Sequence, residues 1–448
     1  MPKFITSLFC MCILAVNLSA QQPASITLEE AIGIALENNV NIKRSQNAIE
    51  RQKVGVFQSR AEFLPNLSSS INSGRTIGRQ FDQATVSFDD FAADRMSGSL
   101  STGITLFSGW RNINNLRASR SSLSATEDDY ERTRETVMFN TAAQFLNIIL
   151  DEELVGVAED NLQNSRRQLE QVEAQVEVGM RPIVDLYNQE ATVASNELAV
   201  IQRENALNLS KVNLIGILQI DPFADYEFVS PGIEGMELEP KNYVLAELVE
   251  QAMANRRDVR ATETSIQTQR FALDAAKGAH YPTVTLGASL SSNYNSLQQF
   301  GFSDQFFESN INRGLSVNIQ IPLFNRFSTR TSIQQSEIDY KNALLDLENI
   351  RVEIFQEIRQ AYNDYSTIVQ EIETTETLER AAEKAFETEQ ERYNVGSSTL
   401  IELNDANNRY ISAVSERIQA QYRFVFQEKI LDFYRGQISP ENIGTIAN

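Results

Sequence analysis

One register runs through this chain twice. Leu28, Glu30, Ala35, Asn38 and Pro65 recur as Leu245, Glu247, Ala252, Asn255 and Pro282, each 217 positions further on. The same offset carries Ile104, Leu106 and Phe107 onto Ile321, Leu323 and Phe324, Val178-Gly179 onto Val395-Gly396, and Leu186 onto Leu403. An offset held without net insertion over such a length marks a tandem duplication, so any fold must accommodate the same unit twice. We place the first repeat at 21–220 and the second at 241–436. A linker, 221–240, carries the turn signals Asp221-Pro222 and Ser230-Pro231-Gly232, and a tail, 437–448, follows.

Ahead of the first repeat, Lys3 precedes an apolar run from Phe4 to Val16 and then Leu18-Ser19-Ala20. A basic start, an apolar stretch too short to span a bilayer and a small-residue cleavage site read as a secretory signal peptide, 1–20. The two cysteines, Cys10 and Cys12, both fall inside it. The mature chain is therefore expected to have no disulfide or thiol chemistry. A net charge of −21 argues against nucleic acid as a partner.

Within each repeat the pattern is helix, helix, strand, polar segment, strand, long helix, tight tip, return helix. Ile26–Leu36 is a short amphipathic helix with Thr27 as N-cap, and a second helix runs from Asn41 to Glu62. Strands are read where small polar and aliphatic residues alternate, as in Leu67–Ile71, Leu100–Leu106, Thr283–Ser291 and Leu315–Ile321. Each strand is about ten residues, the length of a membrane-spanning strand. The polar segments between them, Asn72–Ser97 and Ser292–Asn312, are expected to be exposed loops.

After the second strand comes the longest helix. From Arg326 to Arg392 there is neither Gly nor Pro, a run worth about 100 Å of helix. Ile354, Ile358, Ala361, Tyr365, Ile368 and Ile372 mark a coiled-coil seam there, and Val155, Leu162, Leu169, Val172 and Val176 mark one in the first repeat. Gly179 and Gly396 end the long helices in the left-handed conformation, with Pro182 or Ser397-Ser398-Thr399 opening the return helices. Four strands per chain are too few for a membrane barrel, and an open sheet edge cannot face lipid. If the strands cross a membrane, several chains must share one barrel.

With its Leu-Phe strand ends and Val-Gly tips at matched positions, the duplicated unit resembles the TolC family of outer-membrane efflux proteins over essentially the whole mature chain. The resemblance implies a mainly α protomer with a long coiled-coil α-barrel, contributing four strands to a trimeric twelve-stranded β-barrel. It implies an outer-membrane exit duct for efflux or type I secretion that reaches into the periplasm. The implied partners are the other protomers of a homotrimer, outer-membrane lipid, a periplasmic adaptor (membrane fusion) protein and an inner-membrane transporter. By the same resemblance, Val178, Gly179, Met180 and Arg181, with Val395, Gly396, Ser397 and Ser398, form adaptor-docking tips. Asp185, Tyr393, Glu402 and Asp405 take the places of the family's gate. The family's basic linking residue is Ser398 here, a departure for which Arg181 is the available substitute. A ring of such carboxylates should attract cations and raise its own pKa values by repulsion.

Two other classes compete. An enzyme is disfavoured: the chain has a single histidine, His280, and no nucleophile elbow or phosphate-binding loop, and no cofactor or metal is expected. An envelope coiled-coil spacer or adhesin without channel activity accounts for the helices but not for the duplicated strands.

Overall fold

The computed structural model describes residues 24–82, 86–230, 232 and 238–438; the predicted leader, part of the linker and most of the tail lie outside them. Strand β1 (Ala24–Ile26) leads into α1 (Leu28–Asn38), α2 (Val40–Ala61), β2 (Asn66–Asp82), β3 (Ser87–Phe107), α3 (Arg111–Glu177) and α4 (Ile183–Leu218). After β4 (Tyr226–Phe228) the order recurs as α5 (Leu245–Asn255), α6 (Arg257–Gly278), β5 (Thr283–Asn295), β6 (Asn312–Gln320), α7 (Ser328–Asn394) and α8 (Leu400–Tyr434). Both long helices have 67 residues, and their return helices have 36 and 35. The mainly helical, tandem-repeat architecture with four long strands is as the sequence indicated; the three-residue strands β1 and β4 are additional.

Local chemistry sets the boundaries. Thr27 caps α1 through a capping box with Glu30, and Asn39 caps α2, its side chain accepting from the Asn41 backbone N–H at 2.9 Å. Both strand-to-helix junctions turn through two left-handed residues, Gly109-Trp110 and Arg326-Phe327. At the first, a Cβ on Gly109 would lie 2.2 Å from the Gly278 carbonyl oxygen, so the end of α6 meets this turn backbone to backbone.

Where α1, α3, α4, α5, α7 and α8 converge lies the main core, around Phe145, Ile149, Leu214, Ile354, Ile358 and Leu431. The short strands β1 and β4 pair in parallel and seat Phe228 edge-on to Phe145. In α7 the predicted seam is buried from Ile354 to Ile368, with Ile372 partly so. In α3 the expected seam is corrected. Only Val172 of the five is fully buried, and the buried line runs Leu154, Asn161, Ser165, Val172. Polar residues occupy seam positions there because amides meet them, Asn407 of α8 at Asn161 and Gln189 of α4 at the Ser165 carbonyl.

The four long strands form one antiparallel sheet, β2-β3-β5-β6. Asn72–Ser97 is not a long loop: β2 and β3 stay paired from Asn66↔Gly103 to Asp82↔Ser87. Cross-strand ion pairs Arg75–Asp94 (3.4 Å) and Arg79–Asp90 (3.3 Å) replace the apolar alternation that marks a strand in sequence. In Ser292–Asn312, β5 continues to Asn295, and a short π-helix, Asp304–Ser309, stacks Phe306 on Phe302 at 5.2 Å.

The register sorts the sheet into two faces. Leu67, Ile71, Leu100, Leu290, Leu315, Val317 and Ile319 share one face and are all exposed. The opposite face carries Ser68, Ser70, Ser99, Ser101, Thr285, Ser289 and Asn318, with hydroxyl pairs Ser68–Ser101 and Ser70–Ser99 at 2.8 Å.

Candidate functional site

At the end of the helical region farthest along α3 and α7, the two hairpin tips have one backbone. Each long helix closes in a Schellman motif. Gly179 N–H donates to the Val176 carbonyl and Met180 N–H to that of Gln175, at 3.0 and 2.8 Å; Gly396 and Ser397 do the same to Tyr393 and Arg392, at 3.0 and 2.8 Å. Gly179 has φ 74° and Gly396 φ 79°, with open space where a Cβ would point, so glycine is required by conformation rather than by crowding. Val178, Met180 and Val395, at 70, 76 and 79 % exposure, put apolar side chains in solvent at both tips.

The entries into the return helices differ. Thr399 and Glu402 form a capping box on α8, whereas Pro182 starts α4 with no side-chain cap. Hydrogen bonds from the Thr399 backbone N–H and hydroxyl and from Ser398 hold the Glu402 carboxyl below the usual glutamate range. The Ser398 hydroxyl lies within reach of Glu389 as well, so the two carboxylates share its one proton. Ser398 is therefore occupied within its own hairpin.

Between the tips sits Arg181. Its guanidinium lies 4.1 Å from the centroid of the Tyr393 ring, donates to Gln175 at 2.6 Å and pairs with Asp185 at 3.4 Å. Tyr393 is 5 % exposed and joins Val172, Leu400 and Leu403 in a small apolar cluster that ties α3, α7 and α8 together. Its hydroxyl is buried, with no hydrogen-bond partner among the described residues. Burial pushes the phenol pKa up; Arg181 pulls it back and the Asp185 charge adds to the rise. The Asp185–Tyr393 link expected from the resemblance thus runs through Arg181.

Behind this cluster, α8 lies along the groove between α3 and α4 on a ladder of amides. Asn404 Nδ2 reaches Gln189 Oε1 at 3.3 Å and Thr192 Oγ1 at 3.4 Å, Gln189 donates to the Ser165 carbonyl at 3.0 Å, and Asn407 donates to Asn161 at 2.9 Å. Gln189 is wholly buried. Sequence reasoning missed this ladder; its only trace was polar residues recurring at seam spacing in α3. Glu402 and Asp405 lie apart from it, lining a second groove between α7 and α8. The gate candidates therefore separate into an inter-hairpin contact (Asp185, Tyr393) and a carboxylate pair on one hairpin (Glu402, Asp405).

Residues 31–218 and 248–437 match the family described as outer membrane efflux protein. The outer membrane efflux protein BepC of Brucella suis biovar 1 is 20% identical over 427 residues, covering 95% of this chain and 89% of its own. The outer membrane protein TolC of Salmonella enteritidis is 22% identical, covering 87% of this chain and 77% of its own. Among solved structures, the Campylobacter jejuni CmeC outer membrane channel superposes with a TM-score of 0.81 at 16% identity, over 94% of this chain and 90% of that one.

Proposed function

Because the chain belongs to the outer membrane efflux protein family, we propose that it is an exit duct in the outer membrane, assembled from copies of itself and reaching into the periplasm. The family is one of channel proteins rather than enzymes. The observation that carries the reading is the four-stranded sheet with one exposed aliphatic face, one hydroxyl-bearing face and two unpaired edges, β2 and β6. An aliphatic face belongs against lipid and a hydroxyl face against a water-filled lumen. Open edges have no place in lipid, where backbone groups find no partners. Three copies joined edge to edge give twelve strands, and the helices of the three repeats-in-tandem then surround the tube below.

The exposed apolar tips suit docking by a periplasmic adaptor, which would couple the duct to an inner-membrane transporter. Arg181, held between Asp185 and Tyr393, is the contact whose release would let the two hairpins of one chain part. Glu402 and Asp405 repeat in each copy and supply the negative charge at the narrow end.

The test is conductance. Purified oligomer reconstituted in a planar bilayer should give discrete, cation-selective openings, and Glu402→Ala with Asp405→Ala should weaken the selectivity. A monomer in detergent with no openings would overturn the reading in favour of an envelope spacer.

A further inference from the structure

The aliphatic face of the sheet is not bare at its loop end. Gly98 stands opposite Ile71 and so points to that face, and there the π-helix Asp304–Ser309 folds back over the strands. A Cβ on Gly98 would lie 2.7 Å from the Phe306 ring, so glycine is what lets the ring rest on the strand. Hydrogen bonds fix this aromatic wall. Gln305, 1 % exposed, accepts from the Asn295 N–H at 3.0 Å and donates to the Asn295 and Phe300 carbonyls at 3.1 and 2.5 Å. Ser292 donates to the Phe306 carbonyl at 2.5 Å, and Asn310 to that of Asn293 at 2.7 Å. Between wall and strands lies a cavity of about 370 Å³, lined chiefly by Ile71, Leu100, Leu290, Phe306, Phe307 and Ile311.

One charged side chain lines the same cavity. Arg313 stands directly opposite Leu290, which in turn faces Leu100, so its place in the register is on the aliphatic face. On β6 it ends the aliphatic run Ile319, Val317, Leu315, much as Arg75 ends the run Leu67, Ile71 on β2. Arg75 has Asp94 across the strand pair at 3.4 Å. Arg313 is exposed and, among the described residues, has no hydrogen-bond or ion-pair partner. A bare cation on a lipid-facing surface is costly, and an anion that arrives with the hydrocarbon relieves that cost. An apolar cavity beside a free guanidinium therefore fits a molecule with an acyl chain at one end and a phosphate at the other, since the guanidinium fork matches phosphate oxygens.

We propose that this cavity seats an acyl chain of an anionic phosphorylated lipid of the surrounding membrane, with Arg313 holding the lipid's phosphate. The proposal rests on the aliphatic face lying against lipid, as the duct requires, and adds to it a fixed lipid site. Contact with bulk lipid needs only a smooth aliphatic cover. This end of the face instead has an aromatic wall, a buried glutamine that holds the wall in place, and a cation left without a protein partner.

Fluorescence quenching tests the site directly. The chain's single tryptophan, Trp110, lies just past the helical end of β3, so F307W in a W110F background puts the only reporter in the cavity wall. In phosphatidylcholine vesicles, brominated phosphatidylglycerol should quench this oligomer with a several-fold preference over brominated phosphatidylcholine. R313Q should bring the preference close to one, and R313K should retain part of it. In the chain that keeps Trp110 as its reporter, R313Q should leave quenching unchanged. Should the reporter variants fail to assemble, native mass spectrometry of the unmodified oligomer decides the matter: phosphatidylglycerol should be retained several-fold over a diacylglycerol with the same chains, and equal retention would overturn the site. Conducting oligomers that show no lipid preference, or whose preference survives R313Q, would overturn the lipid site while leaving the duct intact. Absence of both oligomer and conductance would overturn the two together.

Discussion

The two repeats share a backbone and differ in what holds it. Asn39 and Arg256 stand at the same place, between the two short helices, and both are buried, at 8 and 4 % exposure. Asn39 acts as a simple cap, bonding the Asn41 N–H and the Ile217 carbonyl. Arg256 instead organises charge, pairing with Asp258 at 2.6 Å and Glu357 at 2.5 Å. Burial alone would push the Asp258 carboxyl up, but Arg256 and Arg132 more than offset it and hold it below the usual aspartate range. The duplication thus copied geometry while side chains diverged, leaving neutral hydrogen bonding at one copy of a joint and an ionic network at the other.

That contrast is sharpest in the cost of breaking each joint. Arg256→Met should destabilise the protomer by about 3 kcal/mol, because it strips a partner from acidic groups in a largely buried setting. Asn39→Ala should cost about 1 kcal/mol, the value of a lost N-cap. Thermal unfolding of the two variants would measure the difference, and equal losses would mean that the joints are equivalent after all. Next comes Gln189→Ala, at about 2 kcal/mol, since it leaves the Ser165 carbonyl and the Asn404 amide short of partners in a buried site. If denaturant midpoints place this variant with surface substitutions, the amide ladder is not a structural bond between the hairpins.

Such joints explain what was legible in the sequence. Helix α8 begins at Leu400, directly after the Ser397-Ser398-Thr399 opening expected from the sequence, because Gly396 and Thr399 are signals written within a few residues. The α7 seam was legible because its buried side chains are apolar. The tip-side half of the α3 seam was not, since Asn161 and Ser165 look like surface until Asn407 and Gln189 arrive from elsewhere in the chain. Strand length failed in the same way: Arg75 and Asp94 make a strand pair only once the hairpin has formed. Arg181 was visible as a spare cation beside the tip, but its place over the Tyr393 ring depends on how the hairpins pack.

The tips offer the next comparison, because only the first carries the arginine. Arg181→Ala removes a partly buried cation–aromatic contact worth about 1 kcal/mol and uncouples Asp185 from the second hairpin. Open probability in bilayers should rise several-fold, with the fold intact by circular dichroism. Placing an arginine at the mate position, Ser398→Arg, should not compensate, because the residue 217 positions before Tyr393 is Val176, which has no aromatic face to offer a neighbouring copy. Restored closure in the R181A/S398R double variant would show that either tip can carry the latch.

The smallest effect belongs to Glu402, and it is a matter of pH. Its carboxyl is held below its ordinary value of 4.5, chiefly by the Thr399 backbone N–H. A group whose pKa is lowered by folding stabilises the fold above its unfolded value and loses that contribution as pH falls through the lower folded value. Glu402→Gln keeps the shape of the capping box but has nothing to titrate. Unfolding midpoints of wild type and E402Q should therefore differ slightly at pH 7 and converge below about pH 4. If repulsion within a ring of carboxylates outweighs the hydrogen bonds of each chain, the sign reverses: E402Q would then stabilise the assembled oligomer at neutral pH while still weakening the cap of the isolated protomer.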